Sequence, residues 1–153
     1  MKECGGCTLC CVLPPVGEMD KPPNFRCKHA CSGCDIYETR PNECRAFECL
    51  WRFGKLHDRM RPDRCGVIFE LHKAQQTVIA MVDPFRPDAW QNGITGTLIE
   101  RMLVDDYTVW VVIGKEKHLL LPEGRKHQQS LDQLKEIWRR RWQPQPTQPI
   151  SLH

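Results

Sequence analysis

All ten cysteines of this 153-residue chain fall within its first 65 residues, and four of them stand in the opening stretch MKECGGCTLCC. No other feature narrows the fold as far. The cysteine-rich stretch also contains VLPPVGEMDKPPNFR, whose four prolines read as an ordered or semi-ordered connector and not as a helix or central strand. So much sulfur asks for one of three chemistries: disulfides, a bound metal or cluster, or a redox nucleophile. The N-terminus has no apolar h-region of a signal peptide, and no apolar run reaches the roughly 18 residues of a membrane span. The expected compartment is the reducing cytoplasm, where five disulfides would not persist. A thioredoxin-type CxxC pair would need a βαβ context, and the sequence around Cys4 shows none. Metal accounts for the cysteines with the fewest assumptions, and a disulfide framework is the reading an exported chain would favour.

Zinc takes four thiolate or imidazole ligands in a tetrahedron, often two at a time from CxxC turns. Cys4–Cys7 and Cys31–Cys34 are such pairs, and Cys7–Cys10 repeats the spacing. The candidate ligands are Cys4, Cys7, Cys10, Cys11, Cys27, Cys31, Cys34, Cys44 and Cys49. Adjacent side chains such as Cys10 and Cys11 point in different directions in most backbone conformations, so they rarely serve one ion. The expectation is that Cys10 joins a site begun by Cys4 and Cys7. Cys11 then serves a second site with members of Cys27, Cys31, Cys34, Cys44 and Cys49. On a helix, Cys44 and Cys49 would point roughly 140° apart, so they too are not expected to share an ion. Cys65 either completes a site or is a small apolar residue at the junction. His29 lies inside the cluster as a further possible ligand, although such a histidine more often faces solvent.

Iron–sulfur clusters are the main rival. Cys4, Cys7 and Cys10 match the first three positions of the ferredoxin run C-x2-C-x2-C-x3-C-P, but residue 14, where the fourth cysteine belongs, is Pro14. The C-x3-C-x2-C spacing of Cys27, Cys31 and Cys34 resembles the cluster motif of radical SAM enzymes. Those enzymes have a far larger barrel domain, and usually an aromatic residue where Gly33 stands here.

The absence of cysteine after Cys65 divides the chain into three parts: a cysteine-rich metal-binding module over 1–65, an ordinary globular unit over 66–142, and a flexible Pro/Gln tail over 143–153. In the first part, RPNECRAFECLWRFGKL reads as a short helix, with Pro41 at a first helical position. In the second, GVIFELHK alternates with Val67, Phe69 and Leu71 on one face, and TVIAMV is a compact apolar run. ITGTLIERMLV has helical spacing despite Gly96, and YTVWVVIG turns through GKEK into HLLLP. SLDQLKEIWRRRW starts with capping-box spacing. The order β-β-α-β-β-α predicts an α+β fold: an irregular metal-stabilised module with a short helix, then a small four-stranded antiparallel sheet with helices on one face.

By Cys49 a wider pattern is complete. CGGCTLCC, followed by CDIYETRPNECRAFECLW, resembles the CxxCxxCC cysteine-cluster family, the YkgJ-like zinc- or iron-chelating proteins. The resemblance covers residues 4–65 and rests on Cys4, Cys7, Cys10, Cys11, Cys34, Ile36, Tyr37, Arg40, Pro41, Cys44, Phe47, Cys49 and Trp51. It implies metal chelation, by zinc or by iron, and assigns no role to residues 66–153. It also makes Arg40 a candidate hydrogen-bond donor to bound thiolates, which carry net negative charge in a four-cysteine site.

The remaining residues add little. The five tryptophans read as packing groups. The arginines at 139–141 end a helix, where cations complement its dipole. No paired carboxylates, phosphate loop, G-x-S-x-G or H-E-x-x-H motif is present, so no catalytic residue is named. A net charge of +3 gives no ground for nucleic acid. The expected function is that of a cytoplasmic metal-binding module, zinc-chelating, with one or two ions and room for a protein partner, and with no membrane contact. An iron–sulfur redox protein, or a metalloenzyme with an open coordination position, is the alternative.

Overall fold

The computed structural model describes residues 1–124, together with Asp132, Lys135 and Glu136. Its centre is a four-stranded sheet in the order β1-β2-β3-β4, formed by Val67–His72, Thr77–Val82, Thr108–Ile113 and Glu116–Leu120. The helices are α1 (Asn42–Ala46), α2 (Pro62–Cys65) and α3 (Gly93–Val104), giving an α+β fold. Asp132, Lys135 and Glu136 are helical, but most of the expected last helix and all of the 143–153 tail lie outside the described residues.

The sheet is mixed, which corrects the expected all-antiparallel pairing. β1 pairs with β2 and β3 with β4 as antiparallel hairpins, whereas β2 and β3 run parallel, with Val78 beside Val109 and Ala80 beside Val111. The cause is the connection. A two-residue turn reverses a strand, but residues 83–107 contain α3 and carry the chain back to start β3 alongside the start of β2, and parallel neighbours need such a crossover. The hairpins themselves are as expected. The first turns through a 3-10 segment at Lys73–Gln75 and Gln76 in the left-handed region (φ 45°), and the second through Gly114 (φ 58°).

Because side chains alternate across a strand, the sheet has two apolar faces. Val67, Phe69, Val78, Ala80, Val82, Val109 and Val111 pack with Ile99 and Met102 of α3. Ile68, Ile79, Met81 and Val112 on the other face pack with Leu13, Phe47, Cys49 and Trp51 from the cysteine-rich segment. α3 and the cysteine-rich segment therefore sandwich the sheet. The central strand β2 is buried along its whole length, as a strand covered on both faces must be.

The helix read over residues 40–56 is much shorter here. α1 ends at Ala46, and Phe47 takes extended backbone (φ −68°, ψ 117°). The chain then lies along the edge strand β1: Cys49 bridges Glu70, and the Leu50 N–H donates to the Phe69 carbonyl at 3.0 Å. A non-local pairing that also buries Phe47 and Trp51 overrides the local helical spacing. In α3, Gly96 makes room for the preceding loop, since a Cβ there would stand 2.7 Å from the Gln91 carbonyl oxygen.

Candidate metal centre

Four short segments deliver thiols to one place. The N-terminal turn closes with the Cys7 N–H on the Cys4 carbonyl at 2.9 Å and runs into a single 3-10 turn at Leu9–Cys11. The second segment returns beside it, where the Cys27 N–H donates to the Cys11 carbonyl at 2.8 Å. It then folds into a small loop bridged between Ala30 and Cys34. The third is α1, which carries Cys44. It is tied down by reciprocal acidic caps: Glu43 accepts from the Gly17 N–H at 2.7 Å, and Glu18 from the Glu43 N–H at 2.8 Å. The fourth is the stretch held on β1 through Cys49.

These segments enclose a cavity of about 460 Å³. Cys4, Cys7, Cys10 and Cys11 line it from the first segment, Cys27 and Cys34 from the second, Cys44 from α1 and Cys49 from the β1 edge. Eight of the nine expected ligands therefore share one cavity. Cys31 does not line it and is exposed. Cys65 is buried elsewhere, among the residues facing α3, with its thiol against the Met60 and Val67 carbonyls at 3.5 and 3.3 Å. This is its bland reading, a small apolar residue at the junction. His29 reaches the cavity wall, with its Nδ1 3.1 Å from an Asp35 carboxylate oxygen.

The two CxxC turns touch. A Cβ on Gly33 would lie 3.2 Å from the Gly5 carbonyl oxygen, and Gly33 (φ 156°) and Gly5 (φ 52°) both hold backbone angles that favour glycine. The sequence CGGC…CSGC thus uses its glycines to lay one turn on the other.

Burial shapes the thiols. Cys7 and Cys44 are pushed from the ordinary 9.0 up to about 11, chiefly because leaving water disfavours the thiolate, with neighbouring thiolates adding to the effect. Burial raises Cys4, Cys34 and Cys49 as well. The hydrogen bond between the Cys10 and Cys11 thiols splits that pair, raising Cys10 and lowering Cys11. Lys21 and Arg26 favour the Cys11 thiolate further.

Cations stand around the thiols. Arg52 favours the Cys4 thiolate by its charge and donates to the Tyr37 hydroxyl at 2.6 Å. Arg40 stacks 3.8 Å from the centre of the Tyr37 ring, donates to the Tyr37 carbonyl, and lowers Cys4 by its charge alone. No spacing in the sequence had singled out Arg52, whose charge favours the Cys4 thiolate as that of Arg40 does. Lys21 is buried at 8 % exposure, and its ammonium donates to the carbonyls of Val12, Pro14 and Pro22 at 2.9, 2.6 and 3.2 Å. Lys21 was also missed, because the carbonyls that hold it belong to a proline-rich stretch with no periodic signal.

The donor set suits a soft ion: eight thiols with basic groups beside them and few carboxylates. The side chains are not drawn in, however. Among the described residues no three His, Cys, Asp or Glu side chains converge closely enough to hold an ion as they stand. A metal held here would require the thiols to turn inward and lose their protons. Compared with protein-family models, curated proteins and solved structures, the chain matches none. No helix among the described residues is long and apolar enough to cross a membrane.

Proposed function

We propose that this chain is a metal-chelating cysteine-cluster protein, zinc-binding, in which residues 1–65 form a metal-stabilised module. In this reading it resembles the CxxCxxCC family, and the module serves protein interaction or metal handling. The supporting observation is the convergence of eight cysteines from four segments on one cavity. A chain that used cysteine only as a small apolar residue would scatter it through the core, as Cys65 is placed.

Bound zinc would supply a cross-link among thiolates, which in small peptides is worth about 10–16 kcal/mol of apparent binding energy. The chain's own residues do the rest. The Cys4–Cys7 turn, the Cys27–Cys34 loop, α1 and the β1 edge hold the thiols near one another. Arg52, Arg40 and Lys21 offset the negative charge that deprotonation creates. The sheet gives the module a floor of Ile68, Ile79 and Met81.

Elemental analysis of anaerobically purified protein tests the reading. Zinc at two ions per chain in a colourless sample supports it. A brown sample containing iron and sulfide replaces zinc with a cluster on the same thiolates. Absence of both metals removes the proposal.

A further inference from the structure

The fold treats two CxxC pairs differently. Cys4 and Cys7 both line the cavity, whereas of Cys31 and Cys34 only Cys34 does. Cys34 is half-buried and Cys31 is exposed to solvent. The proposed metal binding uses Cys34 and leaves Cys31 without a task.

The backbone nevertheless holds the two together. Ala30 and Cys34 form an antiparallel bridge, so the chain reverses within residues 31–33. Inside that reversal the Cys31 N–H donates to the Gly33 carbonyl at 2.9 Å, and outside it the Asp35 N–H donates to the His29 carbonyl at 3.1 Å. Arg26 clamps the same turn, donating to the carbonyls of Ala30 and Cys31 at 3.1 and 3.2 Å. In a reversal this tight, Cα atoms three residues apart come within about 7 Å. A disulfide spans Cα atoms up to about 6.8 Å apart, so Cys31 and Cys34 can be joined without refolding the loop. Thiol–disulfide exchange needs the asymmetry seen here: an accessible sulfur that attacks, and a second one held beside it that resolves.

We infer that Cys31 and Cys34 form a thiol–disulfide exchange pair that takes a low-molecular-weight disulfide as its reactant, and that closing the pair withdraws Cys34 from the cavity. The Cys31 thiolate attacks one sulfur of the small disulfide, forming a mixed disulfide and expelling one small thiolate. The Cys34 thiolate then attacks the Cys31 sulfur, forming the Cys31–Cys34 bond and expelling the second. Two protein thiols are oxidised, one small disulfide is reduced to two thiols, and the two cysteine protons pass to those products. The reverse steps reopen the bond, so the pair follows the ratio of small disulfide to small thiol. Its effect on metal rests on the proposed function, because a bonded Cys34 is no longer a thiolate donor.

The full-length chain, purified anaerobically with the metal it carries, is equilibrated with mixtures of oxidised and reduced glutathione. It is then quenched by alkylation and mapped by peptide mass spectrometry. The Cys31–Cys34 disulfide should form first, and excess reduced glutathione should reverse it. Cys31→Ser alters an exposed residue outside the cavity and should abolish the cross-link. Cys34→Ser lacks the resolving thiol and should stall with glutathione on Cys31. A first disulfide anywhere else, no disulfide at all, or a Cys34→Ser chain without glutathione on Cys31 overturns the exchange pair. Metal content is read on the same samples. The wild type should lose metal as the disulfide forms, and Cys31→Ser should keep it under the same oxidant. A disulfide formed with no loss of metal overturns the withdrawal of Cys34. A fully reduced chain that carries no metal strikes the proposed function instead, and the disulfide map still decides the exchange pair.

Discussion

Cys49 and Glu70 face each other as an isolated antiparallel bridge, so a thiol of the cavity is mounted on the edge strand of the sheet. Phe47 and Trp51, on either side of it, pack on Ile68, Ile79 and Met81. Events in the cavity should therefore be felt by the sheet. Stripping the metal with a chelator is expected to lower the melting temperature of the β-sheet signal in circular dichroism, and to open residues 1–56 to protease. A sheet transition that chelation leaves unmoved would separate the two parts.

A Cβ on Gly33 would crowd the Gly5 carbonyl oxygen at 3.2 Å, at a backbone angle (φ 156°) that L side chains rarely adopt. Gly33→Ala should push the two CxxC turns apart, at a cost of about 1–3 kcal/mol for the strained backbone and the close contact. Zinc retention against a competing chelator should fall by about tenfold or more, since 1.4 kcal/mol is a factor of ten in an equilibrium constant. Unchanged retention would mean that the turns need not touch.

Gly96→Ala provides a contrast on the far side of the sheet. The new methyl would meet the backbone of Gln91 at 2.7 Å, and backbone cannot step aside as a side chain can. A loss of about 1–3 kcal/mol in denaturant unfolding is expected, as for overpacked cores. Zinc stoichiometry should stay the same. A fall in zinc content in this variant would show that the cavity depends on α3.

Lys21 fills three carbonyls with one buried ammonium. Lys21→Met keeps most of the apolar stem and removes the donors. Buried acceptors left without partners cost about 1–3 kcal/mol, so the variant's unfolding midpoint should drop even without metal. A midpoint equal to that of the wild type would place those carbonyls in contact with water.

The raised thiols give a pH signature. In the folded metal-free chain Cys7 and Cys44 sit near 11, against the ordinary 9.0. The neutral thiol is favoured by folding, so this contribution is fully present below pH 9 and is lost as pH climbs to 11. Denaturant midpoints of the metal-free chain should fall across that window, and a flat profile would contradict the burial of these two thiols. The same shifts mean that zinc uptake at neutral pH releases protons, which calorimetry in buffers of different ionisation enthalpy would register.

Much of the sheet was legible in the residues. Val67, Phe69 and Leu71 alternate as a strand must, and Ile94, Leu98 and Met102 recur as a helix must. The parallel pairing of β2 with β3 was not, because TVIAMV and TVWVVI read alike whichever way they run, and only the crossover through α3 decides it. The stretch from Phe47 to Trp51 misled in another way. Its spacing is helical, but its hydrogen bonds go to Phe69 and its side chains to the sheet, and neither is a local property. The clustering of the cysteines in the sequence pointed to a shared place, and eight of them line one cavity. Arg52 and Lys21 left no trace in spacing, because each is recruited by the fold and not by a motif.

The central claim is that the sulfur of residues 1–65 grips metal. The most direct measurement is metal content together with thiol accessibility on one anaerobically prepared sample of the full chain. The account predicts two zinc ions per chain, with eight thiols shielded from alkylation until a chelator is added. A sample free of zinc and iron, with its cysteines paired to one another, would contradict it.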